Sequence, residues 1–101
     1  MNFSNMRQIM EMRSEIKKAQ KELSKITVEA EAGKGMVKVI ANGQMEILSV
    51  KIDPKAIDPQ RPDKLEKLIQ QAVSEVIKKA QKEASKHLGE LTQGLNIPGL
   101  T

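Results

Sequence analysis

Apolar residues follow three different rhythms along this chain. Ile9, Met12, Ile16, Ala19, Leu23 and Ile26 recur at spacings of 3, 4, 3, 4 and 3. That repeat is the narrow seam of a helix lying along another helix, where a helix on a globular core shows a wider stripe. It predicts a first helix from about Ser4 to about Ser24, with Met6 and Met10 adding soft apolar surface beside the seam. From Thr27 to Asp53 the period shortens to that of strands. Gly33-Lys34-Gly35 marks one turn, and Asn42-Gly43 marks a second between Met36–Ala41 and Gln44–Ile52. Asn-Gly between β-rich runs predicts a type I′ hairpin, with positive φ at both residues. Val37, Val39, Leu48, Val50 and Ile52 are the expected core positions of this meander.

The third rhythm begins at Pro62, a residue suited to a first helical turn. Asp63 and Glu66 resemble a capping box with Asp in place of Ser or Thr. Leu65, Leu68, Ile69, Ala72, Val73, Val76 and Ile77 form a broad apolar face, which narrows to Ala80, Ala84, Leu88 and Leu91. The broad half is expected to pack on the sheet. The narrow half is expected to project and to pair with a helix, the first one being the candidate. A helix from Pro62 to Leu91 spans about 45 Å, longer than so small a sheet can shield. Gly89 and Gly94 weaken its end, so residues 1–93 are read as one domain and 94–101 as a flexible tail. Asp53-Pro54 and Asp58-Pro59 punctuate the loop between sheet and helix.

This order is helix, three strands, helix: an α+β chain with a small antiparallel sheet and two long helical arms. A sheet of that size cannot cover its own apolar face, and a heptad seam needs a facing helix. Both features imply a partner, and a second copy of the chain is the simplest one.

Composition narrows what the arms meet. The formal net charge is +4 over 101 residues, and it is unevenly placed. Residues 1–26 carry six Lys/Arg against three Glu, and residues 61–101 carry seven against five acids, while the segment between them is slightly acidic. Basic arms on a neutral sheet point to a polyanion or an acidic surface. Phe3 is the one aromatic residue, so base stacking of the kind used by RNA-recognition and single-strand grooves is excluded as a main mode. Binding to nucleic acid is then backbone-directed and weakly sequence-specific. With no cysteine there is no disulfide or thiolate–metal site. No apolar run reaches the roughly 20 residues of a membrane span, and no apolar signal-peptide core follows Met1, so a cytoplasmic protein is expected.

The most specific charge feature is a repeated lysine ladder. Lys17, Lys21 and Lys25 stand four apart in the first helix, and Lys78, Lys82 and Lys86 repeat the spacing in the second. Lysines four apart repel by about 0.2–0.5 kcal/mol per pair. Lys17, Lys21 and Lys82 have no acidic residue three or four positions away. Glu75, Lys79 and Glu83, by contrast, alternate in sign and are expected to satisfy one another. Rows that decline pairing suit phosphates, although a plain solvated face has the same pattern. Arg7, Arg13 and Lys18 extend the first row, giving Arg7, Arg13, Lys17, Lys18, Lys21, Lys25, Lys78, Lys82 and Lys86 as the candidate contacts.

Signs of catalysis are weak. His87 is the one histidine, and no Ser/His/Asp set, zinc-protease motif or phosphate-binding loop is present. Glu29 and Glu31 read as a solvated strand face, and Gly33-Lys34-Gly35 joins strand to strand without the helix N-terminus that a phosphate cradle uses. Met6, Met10 and Met12 read as seam packing. The expectation is a protein that is not an enzyme and takes no cofactor, metal or small-molecule substrate.

In this order the chain resembles the YbaB/EbfC family of nucleoid-associated proteins. The resemblance runs from Met6-Arg7-Gln8-Ile9-Met10-Glu11-Met12 through Gly33-Lys34-Gly35-Met36-Val37-Lys38-Val39, Asn42-Gly43 and Val50-Lys51-Ile52-Asp53-Pro54. It continues through Leu65-Glu66-Lys67-Leu68-Ile69, Ala72-Val73 and Asn96-Ile97-Pro98-Gly99. It implies an intertwined homodimer of tweezer-like outline with protruding helical arms, and DNA binding in the nucleoid with effects on gene expression. It supplies no residue motif for DNA contact, so the nine cations rest on charge spacing alone. The rival expectation is a protein-interaction module whose arms grip an acidic or apolar partner protein.

Overall fold

The computed structural model describes the backbone of residues 3–95 and the side chains of residues 6–90. Its elements are α1 (Phe3–Lys25), β1 (Thr27–Ala32), β2 (Val37–Asn42), β3 (Ile47–Ile52), a short 3₁₀ turn (Pro54–Ala56) and α2 (Pro62–Leu95). The strands form one antiparallel sheet in the order β1-β2-β3. This is the α+β, α-β-β-β-α architecture that the sequence implies. Alternation sends Ala30 and Ala32 of β1, and Val37, Val39 and Ala41 of β2, to one face, where they are buried. Glu29, Glu31 and Lys38 take the other face and stay exposed.

α2 lies across the buried face. Ala72, Val76 and Ala80 are fully buried, with Leu65, Leu68, Ile69, Val73 and Ile77 packed around them. The small alanines of β1 and α2 let helix and strand approach, and the fully buried valines 37, 39 and 76 each contribute about 1.5–3 kcal/mol. The first turn of α2 differs from the expected capping box. Asp63 is already inside the helix and pairs with Arg61 at 3.7 Å, so its carboxylate sits at the positive end of the helix dipole. Lys79 leaves its neighbouring glutamates and donates from Nζ to the carbonyl of Glu29 on edge strand β1, 2.9 Å away. The helix also continues through Gly89 to Leu95, two residues into the expected tail, whose remainder at 96–101 lies outside the described residues.

The sheet departs from simple alternation on β3. Ile40 faces Ser49, but Ala41 faces Ile47, so Leu48 is the extra residue of a β-bulge. Leu48 is 52% exposed rather than buried, and Val50 is 45% exposed because α2 covers β1 and β2 but not β3.

The first hairpin has the glycine turn that the sequence implies, and the second differs from its expected turn. Gly33, Lys34 and Gly35 all have positive φ, at 64°, 57° and 87°, so the left-handed turn is here. Asn42 and Gly43 have no positive φ; in their loop Met45 takes the left-handed position at 64°. Asn42 is buried, and its Oδ1 accepts from the backbone N–H groups of Gln44 and Glu46 at 3.0 and 3.1 Å, holding the loop closed as an Asx turn.

Candidate nucleic-acid interface

α1 carries its residue types in three stripes. At roughly 100° per residue, Ile9, Met12, Ile16 and Leu23 fall on one side. Arg7, Lys21 and Lys25 fall on nearly the opposite side, joined by Lys18; Lys17 and Arg13 step from there back to the edge of the apolar stripe, beside Ile16, and Glu11, Glu15 and Glu22 form a strip along its other edge. All six cations are exposed. The seam is open along most of its length, with Ile9, Met12 and Ile16 each more than half exposed, and closes only at Leu23, which is 9% exposed. The pairing of α1 with α2 is therefore confined to the foot of the arm, around Leu23 and the contact between Glu22 and His87.

On α2, Lys78, Lys82 and Lys86 are also exposed; Lys78 and Lys82 lie on the side of the helix away from the buried Ala72, Val76 and Ala80, and Lys86 lies at the flank, in line with Leu68. The two rows are therefore on separate helices, and on α1 Lys18 and Lys25 flank Glu22, the residue that meets His87 of α2.

Among the described residues Arg61–Asp63 is the one Lys/Arg–carboxylate ion pair, His87 lies 2.9 Å from Glu22, and none of the nine candidate cations takes part in either contact. Arg7, Lys18, Lys25, Lys78 and Lys86 have a glutamate three or four positions away, yet no pair is closed. Free guanidinium and ammonium groups in a row at helical spacing form a track for an extended anion rather than a pocket for a compact one. No group of His, Cys, Asp or Glu among the described residues is placed to hold a metal, and no described helix is long and apolar enough to cross a membrane.

Over residues 1–95 the sequence matches the YbaB/EbfC DNA-binding family. The chain belongs to that family. A nucleoid-associated protein of Pelotomaculum thermopropionicum is 46% identical over 95 residues, covering 94% of this chain and 90% of the relative. One from Syntrophobacter fumaroxidans is 43% identical over 98 residues, covering 97% and 89%. The uncharacterized protein HP0035 of Helicobacter pylori has the same fold, with a TM-score of 0.73 at 18% identity over 90% of this chain and 97% of that one.

In this YbaB/EbfC chain the cations extend beyond those that the ladder spacing singles out. Lys64 and Lys67 are exposed and continue the outward side of α2 toward its start. Lys38 and Lys51 face each other across β2 and β3 on the open face of the sheet. Strand alternation carries the signal for Lys38, but the Lys38–Lys51 pairing depends on the register that the bulge leaves intact. His87, a weak candidate for catalysis by sequence, is a structural contact 2.9 Å from Glu22.

Proposed function

We propose that this protein binds duplex DNA as a homodimer, holding it through phosphate contacts along the exposed rows of α1 and α2, and so acts in nucleoid organisation and gene expression. The observation that carries this reading is the set of exposed cations on protruding helices, none in an ion pair among the described residues, in a chain of a DNA-binding family. Contacts of that kind position a duplex without reading its bases. A homodimer is supported by two apolar surfaces that one protomer leaves open: Ile9, Met12 and Ile16 on α1, and Ile47, Leu48 and Val50 on β3. In such a dimer each copy would bring its own two rows to the duplex. Changes in DNA conformation would follow if the arms of the two copies engage one duplex.

The test is an anisotropy titration of unrelated duplexes across a salt series. Similar affinities with a steep salt dependence are expected. Affinity that is insensitive to salt, or binding to one sequence alone, would count against phosphate contact. Stoichiometric capture of an acidic protein in the absence of DNA would favour the interaction-module alternative.

A further inference from the structure

Among the described residues the basic arm α1 stands on few contacts with the rest of the chain, and the hydrogen bonds that hold it are at its foot. Its last turns are gripped from two sides. From the sheet, the N–H of Gly43 donates to the carbonyls of Leu23 at 2.9 Å and Ile26 at 3.0 Å, and Gln44 Nε2 donates to the carbonyl of Gln20 at 2.6 Å. From the other helix, His87 Nε2 lies 2.9 Å from Glu22 Oε2. The fit on the sheet side is close: a Cβ on Gly43 would stand 2.7 Å from the Leu23 carbonyl oxygen. The loop that makes this grip is itself held by the buried Asn42. Above Gln20 the arm rises clear, with Ile16 54% and Met10 69% exposed.

We propose that the Asn42–Gln44 turn and His87 form a clamp on residues 20–26 that fixes the direction in which α1 leaves the sheet. Gly43, Gln44, Glu22 and His87 are positioning residues: none is in the cationic row, and they act by aiming it. Helix carbonyls near a C-terminus lack intrahelical partners, and a turn that supplies donors to them ties helix direction to sheet direction. Leverage makes the aim matter. Arg7 is about 20 Å beyond the clamp, so a tilt of about 15° displaces it by about 5 Å while Lys25 hardly moves. The effect on DNA rests on the phosphate-contact reading; the clamp itself does not.

The test reads arm direction without DNA. The chain has no cysteine, so Ser14→Cys on the arm and Ser74→Cys on the sheet-bound part of α2 give a unique spin-label pair. Labelled protein diluted into excess unlabelled protein reports the distance within one protomer. The parent protein should give a narrow distance distribution. Gln44→Ala with Glu22→Ala should broaden it or shift its centre by about 5 Å, while far-UV circular dichroism and the melt show a folded protein. Gly43→Ala should do the same by pushing the foot of the helix away. Exchanging the pair, Glu22→His with His87→Glu, should narrow the distribution again relative to Glu22→Ala in a Gln44 background. A distribution already broad in the parent, or unchanged in Gln44→Ala/Glu22→Ala, overturns the clamp. On the same variants DNA affinity should fall about fivefold, the cost of ordering a loose arm, with the salt slope kept because the contacts are the same in number. If the distances move and DNA affinity does not, the clamp stands and phosphate contact by α1 fails.

Discussion

Val39 and Val50 face each other across β2 and β3, yet Val39 is fully buried and Val50 is 45% exposed. The difference comes from α2, which lies over β1 and β2 and stops short of β3. One protomer therefore finishes the core on one side of this pair and leaves it open on the other.

Val39→Asp should abolish folding and binding together. A carboxylate placed at a position with no exposed surface, among Val37, Ala41 and Ala30, costs several kcal/mol, comparable with the stability of a small domain. Circular dichroism and a thermal melt check this; a native spectrum with a sharp melt would mean that this face is not the core.

Val50→Asp separates the protomer from the dimer. In an isolated protomer the half-exposed site can hydrate the new carboxylate. In a dimer that covers β3 the same charge is buried, and association should weaken by at least tenfold. Sedimentation at micromolar concentration should show a dimer for the parent protein and a shift toward the 11.2 kDa monomer for the variant. A parent protein that sediments as a folded monomer would contradict the homodimer.

Much of this fold is legible in the sequence because it rests on periodicity. The heptad spacing from Ile9 to Leu23 gives α1, and the Val37/Val39 alternation gives the buried face of β2. The failures are places where one residue changes the count or a distant group sets the geometry. The bulge at Leu48 shifts the apolar phase of β3, and nothing in the local pattern marks it. Asn42-Gly43 has the composition of a type I′ turn, but the foot of α1 claims the Gly43 N–H, and the glycine is needed for close approach rather than for its φ. Lys79 illustrates the same limit: its sequence neighbours offer ion pairs, and the tertiary structure offers the Glu29 carbonyl. The cations are legible as exposed rows; that α1 meets α2 through Glu22, beside Lys18 and Lys25, depends on which sides of the two helices touch, which periodicity alone leaves open.

The same substitution at two glycines should have opposite signs. Gly33 sits at φ 64°, and a Cβ there would lie 2.9 Å from Leu68 Cδ2, so Gly33→Ala should cost about 1–2 kcal/mol and lower the melting temperature by about 5 °C or more. Gly89 is helical with nothing within 4 Å of an added Cβ. Gly89→Ala should stabilise the end of α2 by about 0.5–1 kcal/mol, slowing amide exchange there about fourfold. Equal effects at the two sites would contradict either the left-handed turn or the continuation of the helix past Gly89.

The lysine rows make the last prediction. Changing Lys17, Lys21 and Lys25 to Gln keeps helix propensity and removes like-charge repulsion of about 0.2–0.5 kcal/mol per neighbouring pair. The protein should stay folded, with stability equal or slightly higher. DNA affinity should fall to a similar degree on unrelated duplexes, and the slope of log affinity against log salt should shrink by about 0.9 for each phosphate that is no longer neutralised. The Lys78, Lys82, Lys86 triple should act in the same direction. Because the rows are on separate helices, the two reductions in affinity should multiply when the triples are combined. Lys55→Gln, beside the end of the sheet away from the foot of α1, removes the same charge as any one of these changes and should leave the slope nearly unaltered. That contrast distinguishes a track from net charge: if Lys55→Gln reduces the slope as much as Lys21→Gln, the protein attracts DNA only through its overall charge. If the first triple leaves affinity and slope unchanged in a folded dimer, α1 does not touch the phosphates.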